Sequence, residues 1–157
     1  MNIIIIGCGR MGQGIAITFA LAGYKIQLID IKKRSNDNFT NLLIKINAEI
    51  SKNLKILNKI KLINKNKIKK ITSNIEIKQY WSNENIINSA DIIFECVPEK
   101  LKIKKNVFKL LSENTNKKTI ISSTTSTILS TDLAKYNRHP ERFLNAHWLN
   151  PPYLMPL

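Results

Sequence analysis

Cysteine is nearly absent. Cys8 and Cys96 are the only two in 157 residues, far apart and without the spacing of a metal site or a redox motif. That excludes a disulfide framework and leaves both thiols as small packing residues. Long apolar runs are also missing. None approaches the roughly 18 residues of a membrane span, and Met-Asn before four isoleucines is too short and uncharged for a secretory leader. A soluble, cytoplasmic chain without membrane contact is expected. Acidic residues are scarce too, 11 against 25 lysines and arginines, for a net charge of +14. Such an excess suits nucleic-acid binding when it is clustered. Here 21 of the 25 are lysine and only four arginine, dispersed and without interleaved aromatics. Lysine, asparagine and isoleucine all have A/T-rich codons, so base composition explains the excess, and no nucleic-acid partner is expected. The charge remains a steering field for anionic ligands.

What is present is concentrated in the first thirty residues. Asn2 to Ile6 reads as a short apolar strand and runs into Gly7-Cys8-Gly9-Arg10-Met11-Gly12. A helical pattern follows from Gln13 to Ala22, then a second apolar run from Lys25 to Ile29, closed by Asp30. Strand, glycine turn, helix, strand and acid, in that order, form the dinucleotide-binding βαβ unit. Gly7 permits the tight turn, Gly9 lets a pyrophosphate approach the backbone, and Gly12 lets helix and strand pack closely. The free N–H groups at the helix start then face the phosphates. Asp30 can accept hydrogen bonds from the adenine ribose and would repel a 2′-phosphate, which favours NAD over NADP. Lys32, Lys33 and Arg34 follow at once. Residues of this kind can neutralise a phosphate, but a solvated turn is the simpler reading.

A chain of this length is about one domain. From Asn36 to Asn66 the apolar residues Leu42, Leu43, Ile46, Ile50, Leu54, Leu57 and Ile60 recur at helical spacing, predicting one long helix or a helical hairpin. Asn64 to Lys70 reads as a turn, Ile71 to Ile77 as a strand, and Ser82 as the N-cap of a short helix over Asn83 to Asn88. Asp91 to Cys96 is a buried strand. Leu101 to Ser112 is amphipathic, with Leu101, Val107, Phe108 and Leu111 on or near one face. Thr119 to Ser122 and Arg142 to His147 are further strands, with a short helix around Thr131–Ala134 between them. Alternating strands and helices predict an α/β fold, a Rossmann-like doubly wound and mostly parallel sheet. No internal repeat or disordered linker interrupts it.

Three polar clusters follow the later strands: Glu95 to Glu99, Ser122 to Thr127, and Asn145 to Pro152. In an open α/β sheet the ligand sits beyond the carboxyl ends of the strands, so a carboxylate, hydroxyls and an imidazole can converge there. Such a set suits alcohol oxidation. A neutral imidazole takes the hydroxyl proton as hydride leaves carbon, and a serine hydroxyl holds the substrate oxygen. Each residue also has a plainer role open to it. His147 can be a hydrogen-bonded core histidine, Ser126 a helix N-cap, Glu99 a carboxylate at a helix start, and Lys104 one more solvated lysine.

The run Gly7–Gly12 with Gly14-Ile15-Ala16 is followed by Val97-Pro98-Glu99, Ser123-Thr124-Thr125-Ser126, Pro140-Glu141-Arg142-Phe143 and His147-Trp148-Leu149-Asn150-Pro151. In this order and spacing they resemble the NAD-binding domain of L-3-hydroxyacyl-CoA dehydrogenases over nearly the whole chain. The resemblance implies NAD as cofactor, His147 as catalytic base, and Ser126 at the substrate oxygen and the nicotinamide. It implies Gly7, Gly9, Met11, Gly12, Asp30, Glu99, Lys104 and Asn150 at the NAD site, and leaves His139 as a surface residue. The small-molecule substrate it implies is an acyl-CoA. Thr124 stands where the family has asparagine, and His-Trp-Leu-Asn-Pro replaces the family's His-Phe-Phe-Asn-Pro. The run Asn150 to Leu157 also resembles relatives that oxidise hydroxy acids without CoA, such as L-gulonate or carnitine. The family further implies a glutamate about two residues beyond Leu157, paired with the histidine, and a helical C-terminal domain that completes the substrate pocket and the dimer interface. The chain is therefore expected to be the NAD-binding part alone: truncated, an NAD-binding remnant, or completed as a dimer or by a separate C-terminal part.

Overall fold

A computed structural model describes residues 1–155, so Pro156 and Leu157, the end of the run likened to the non-CoA relatives, lie outside the described residues. Six strands form one sheet: β1 (Ile3–Ile6), β2 (Ile26–Asp30), β3 (Ile75–Gln79), β4 (Ile92–Glu95), β5 (Ile120–Ser123) and β6 (Phe143–Asn145). Their order is β3-β2-β1-β4-β5-β6, and every pairing is parallel. The order reverses between β1 and β4, and a doubly wound sheet opens its ligand crevice at that point. The four isoleucines of β1 alternate between two cores. Ile3 and Ile5 pack under α1 (Arg10–Leu21) and α2 (Asn36–Lys59), while Ile4 and Ile6 pack with Val107, Phe108 and Leu111 of α4 (Leu101–Asn114). A strand covered on both faces has to be apolar throughout, as β1 is.

The long helix is α2, 24 residues or about 36 Å. Ser35 caps it, its Oγ accepting from the Asn38 N–H at 3.4 Å. Its buried residues are Ile46, Ile50, Leu54 and Leu57. It stops earlier than its periodicity suggests. Lys61 turns left-handed at φ +62°, and the N–H of Leu62 closes onto the Leu57 carbonyl at 3.0 Å.

Several expected boundaries move. Lys67 to Ser73 is a helix, α3, and not a turn leading into a strand at Ile71. Ile68 and Ile71, three apart, bring one helical face onto the core around α1, and this packing overrides the β-branched preference. The strand begins only at Ile75. Ser82 is no N-cap: it ends a 3₁₀ turn at Tyr80–Ser82, and a second such turn runs over Glu84–Ser89. Leu101 is 49% exposed and off the buried stripe of α4, which runs Lys104, Val107, Phe108, Leu111. The last strand is shorter than expected. The Ala146 N–H still pairs with the Ser123 carbonyl at 2.9 Å, and the chain then leaves the sheet, so His147 stands just past its end. α5 (Ser130–Ala134) lies between β5 and β6.

α1 meets β1 through backbone. A Cβ on Gly12 would lie 1.9 Å from the Gly7 carbonyl oxygen, and main chain on both sides cannot yield cheaply. Gly12→Ala is expected to destabilise the chain by about 2–4 kcal/mol. Urea unfolding would measure this; a midpoint equal to that of the unmodified chain would rule out the close contact.

Candidate active site

The crevice begins where β1 ends. Gly7 takes φ +110°, and a Cβ there would meet the Cys96 carbonyl oxygen at 2.6 Å, so turn and β4 exit touch through main chain. Gly9 is the N-cap of α1 and makes no side-chain cap bond. The first amide groups of α1 therefore lack partners within the helix. A Cβ on Gly9 would meet nothing within 4 Å. In front of this turn lies a cavity of about 560 Å³, lined by Gly7, Gly9, Met11, Asp30, Glu99, Ser126 and Asn150 among others. Backbone donors, an open position at Gly9 and a carboxylate at the far strand end are what a dinucleotide diphosphate and ribose need, so the residues fit NAD. Gly12 does not line the cavity; it packs behind the turn.

Cys8 lines the cavity as well, with a thiol held in its protonated form at neutral pH. Burial, then the charge of Asp30, push its pKa up to about 12 against a smaller opposing effect of Arg34. Burial pushes the Cys96 thiol up in the same direction, with Glu95 adding to it. Both behave as packing residues.

At Asp30 the structure revises the solvated-turn reading for one residue: Lys32 and Lys33 are exposed, while Arg34 is partly sheltered and its Nε–H donates to Asp30 Oδ2 at 2.5 Å, with side chains 28% and 7% exposed. Lys32 and Arg34 both line the cavity. The signal was available, since Asp30 and Arg34 lie four apart with opposite charge.

The opposite wall is built on a buried lysine. Lys104 is fully buried, and its Nζ pairs with Glu95 at 2.8 Å and with Glu99 Oε2 at 3.2 Å. Glu95, also fully buried, accepts further bonds from the Val97 N–H (2.8 Å) and Ser123 Oγ (2.7 Å). Lys104 therefore does not line the cavity, and it is not a solvated lysine either. It reaches the site through Glu99. Its position on the apolar stripe of α4 was the available sign. Glu99 in turn gathers the loop after β5. Its Oε1 accepts the N–H groups of Ser126 and Thr127 at 3.0 Å each, and the hydroxyls of Thr125 and Thr127. Thr125 and Glu95 hold this wall together and were not among the expected site residues.

That loop presents Ser126. Its Oγ lies 3.0 Å from His147 Nε2. The pair comes from two strand ends joined by the β5–β6 pairing, with Asn145 Nδ2 adding a bond to the Thr125 carbonyl at 3.3 Å. Both side chains are exposed, so neither is a core residue, and Ser126 caps no helix, since the N-cap of α5 is Leu129. His139 stands apart, beside Glu141 Oε1 at 3.3 Å. Past the histidine, Trp148 packs edge-on against Phe19 and Phe94, and Pro152 lies against α1 at Gly14.

Residues 2–157 match the family model described as "3-hydroxyacyl-CoA dehydrogenase, NAD binding domain". A 3-hydroxybutyryl-CoA dehydrogenase of Clostridioides difficile is 33% identical over 159 residues, covering 100% of this chain and 52% of that protein. The 5-formyl-3-hydroxy-2-methylpyridine 4-carboxylate 5-dehydrogenase of Mesorhizobium japonicum is 28% identical over 99% of this chain and 47% of its own length. The crystal structure of 3-hydroxybutyryl-CoA dehydrogenase from Escherichia coli K12 superposes with a TM-score of 0.84 at 25% identity, over 99% of this chain and 31% of that one. The chain thus spans about half the length of the curated relatives it matches.

Glu99 predicts a pH dependence. Burial opposes its charge, but the bonds from Thr125, Thr127 and Ser126 and the Lys104 ammonium outweigh this and hold its pKa at about 2, against an ordinary 4.5. A depressed carboxylate stabilises the fold above its unfolded pKa, and that contribution is lost as pH falls through the folded value. The stability difference between the chain and its Glu99→Gln variant should be constant above about pH 6 and shrink between 4.5 and 2. Urea unfolding over that range measures it; a difference independent of pH would remove the charged Glu99 from this role.

Proposed function

Starting from the NAD-binding domain of the 3-hydroxyacyl-CoA dehydrogenase family, to which this chain belongs, we propose that it is the cofactor-binding part of an enzyme that oxidises the 3-hydroxyl of an L-3-hydroxyacyl-CoA to the ketone. The observation that carries this is the pair of His147 Nε2 and Ser126 Oγ, 3.0 Å apart, with Ser126 lining the glycine-lined crevice. NAD, when bound, supplies the hydride acceptor. With its own proton on Nδ1, His147 presents a free lone pair at Nε2. Ser126 donates to that nitrogen until a substrate hydroxyl replaces it, and the substrate then gives its proton to the imidazole. The serine, held by Glu99 through its own N–H, remains to hydrogen-bond the substrate oxygen. The opening at Gly9 and the amide groups of α1 would hold the diphosphate, and Asp30 would accept from the adenine ribose.

A second reading is a dehydrogenase for a hydroxylated acid without CoA. It is favoured by the likeness to the pyridine carboxylate dehydrogenase and by His147-Trp148-Leu149-Asn150, where the family has two phenylalanines. The substrate pocket is proposed to be completed by a C-terminal part or a second copy, toward which the exposed Leu149, Leu154 and Met155 contribute apolar surface.

NADH-linked reduction of acetoacetyl-CoA tests the first reading, with L-gulonate, carnitine and 3-hydroxybutyryl-CoA in a parallel oxidation panel. His147→Ala is expected to lower turnover by about 10²–10⁴-fold, the worth of a general base. Activity unmoved by that substitution would take His147 out of the mechanism. NAD binding in a calorimeter without turnover of any substrate would leave the chain a binding module only.

A further inference from the structure

The acid at the end of β2 is the usual barrier to a 2′-phosphorylated nucleotide, because a lone carboxylate repels the phosphate dianion. In this chain the carboxylate is not alone. Arg34 sits on Asp30 Oδ2 at 2.5 Å, and among the described residues the one further donor to the Asp30 carboxylate is the Lys32 N–H, 3.4 Å from Oδ1. The pair is half-sheltered, so its charges are screened less than those of a surface pair. The loop that carries Arg34 is pinned from the end of the neighbouring strand β3 and the turn after it. Gln79 Nε2 donates to the Arg34 carbonyl at 3.2 Å and Trp81 Nε1 to the Ile31 carbonyl at 2.8 Å, while Ser35 starts α2 immediately afterwards. The guanidinium spends one N–H on Asp30, and most of its five donors are left for a ligand. Lys32 lines the same mouth of the cavity, so Asp30, Arg34 and Lys32 together carry one net positive charge there.

We propose that Arg34 is a specificity-determining residue that neutralises Asp30 and lets the adenosine end of the crevice accept a 2′-phosphate, so that the chain binds NADP as well as NAD. This rests on the dinucleotide reading of the crevice. Asp30 Oδ1 remains to accept from an unphosphorylated ribose. With a phosphate present, the fork of Arg34 and the Lys32 ammonium meet it as charge-assisted donors.

Calorimetric titration of the full 157-residue chain with adenosine 5′-diphosphate and with 2′-phosphoadenosine 5′-diphosphate tests this without turnover. The two affinities are expected to lie within about tenfold of each other in the unmodified chain, about 1.4 kcal/mol. Arg34→Ala and Arg34→Gln should each lower the affinity for the 2′-phosphorylated probe relative to the other by about tenfold or more. Arg34→Lys should fall between them and the unmodified chain, because it keeps the charge and loses the fork. Retained binding of adenosine 5′-diphosphate in each variant shows that the site is intact. Any smaller change in the ratio for both Arg34→Ala and Arg34→Gln overturns the proposal while leaving the NAD reading in place. Failure of the unmodified chain to bind either probe overturns both.

Discussion

A buried ammonium holds the site together. Lys104 is out of water and is tolerated only because Glu95 and Glu99 both face it. Removing the lysine would leave the fully buried Glu95 carboxylate without its countercharge, at a cost of about 3–5 kcal/mol. With the ammonium in place, Glu95 ties the end of β4 to the end of β5 through Ser123, and Glu99 gathers the amide and hydroxyl groups of Thr125, Ser126 and Thr127. Ser126 reaches the histidine only because this loop is drawn in. A charge cluster that touches the open crevice only through Glu99 thus decides where the Ser126 side chain is held.

The facing wall depends on a different constraint, main chain against main chain. Gly7 lies against the Cys96 carbonyl and Gly12 against the Gly7 carbonyl, so β1, α1 and β4 meet with no side chain between them. That closeness brings the unpaired amides of α1 beside the carboxyl ends of the strands. Backbone donors supply one wall and side-chain acceptors and hydroxyls the other, and the crevice lies at the point where the strand order reverses.

Much of this could be read from the chain before any coordinates. The glycine run, its flanking strands and Asp30 are local features, and the apolar periods of β1, α2 and α4 follow from contacts each element makes along its own length. The differences share one origin. Ile71 reads as part of a strand, yet its place is decided by the core around α1; Leu101 reads as on or near the amphipathic face of α4, yet the buried stripe begins at Lys104. Lysine on an apolar stripe looks like an interruption until its partners, nine and five residues back in sequence, are seen to close on it.

The sequence by itself determined the α/β order and the nucleotide turn. These rest on backbone geometry and on contacts between near neighbours. Only the tertiary structure decided which charges meet. Ser126 and Glu99 are 27 residues apart, and the loop that lays Arg34 on Asp30 is held by Gln79 and Trp81, 45 and 50 residues from the groups they bind. The strength of an ion pair depends on distance and on exclusion of water, and packing alone determines both.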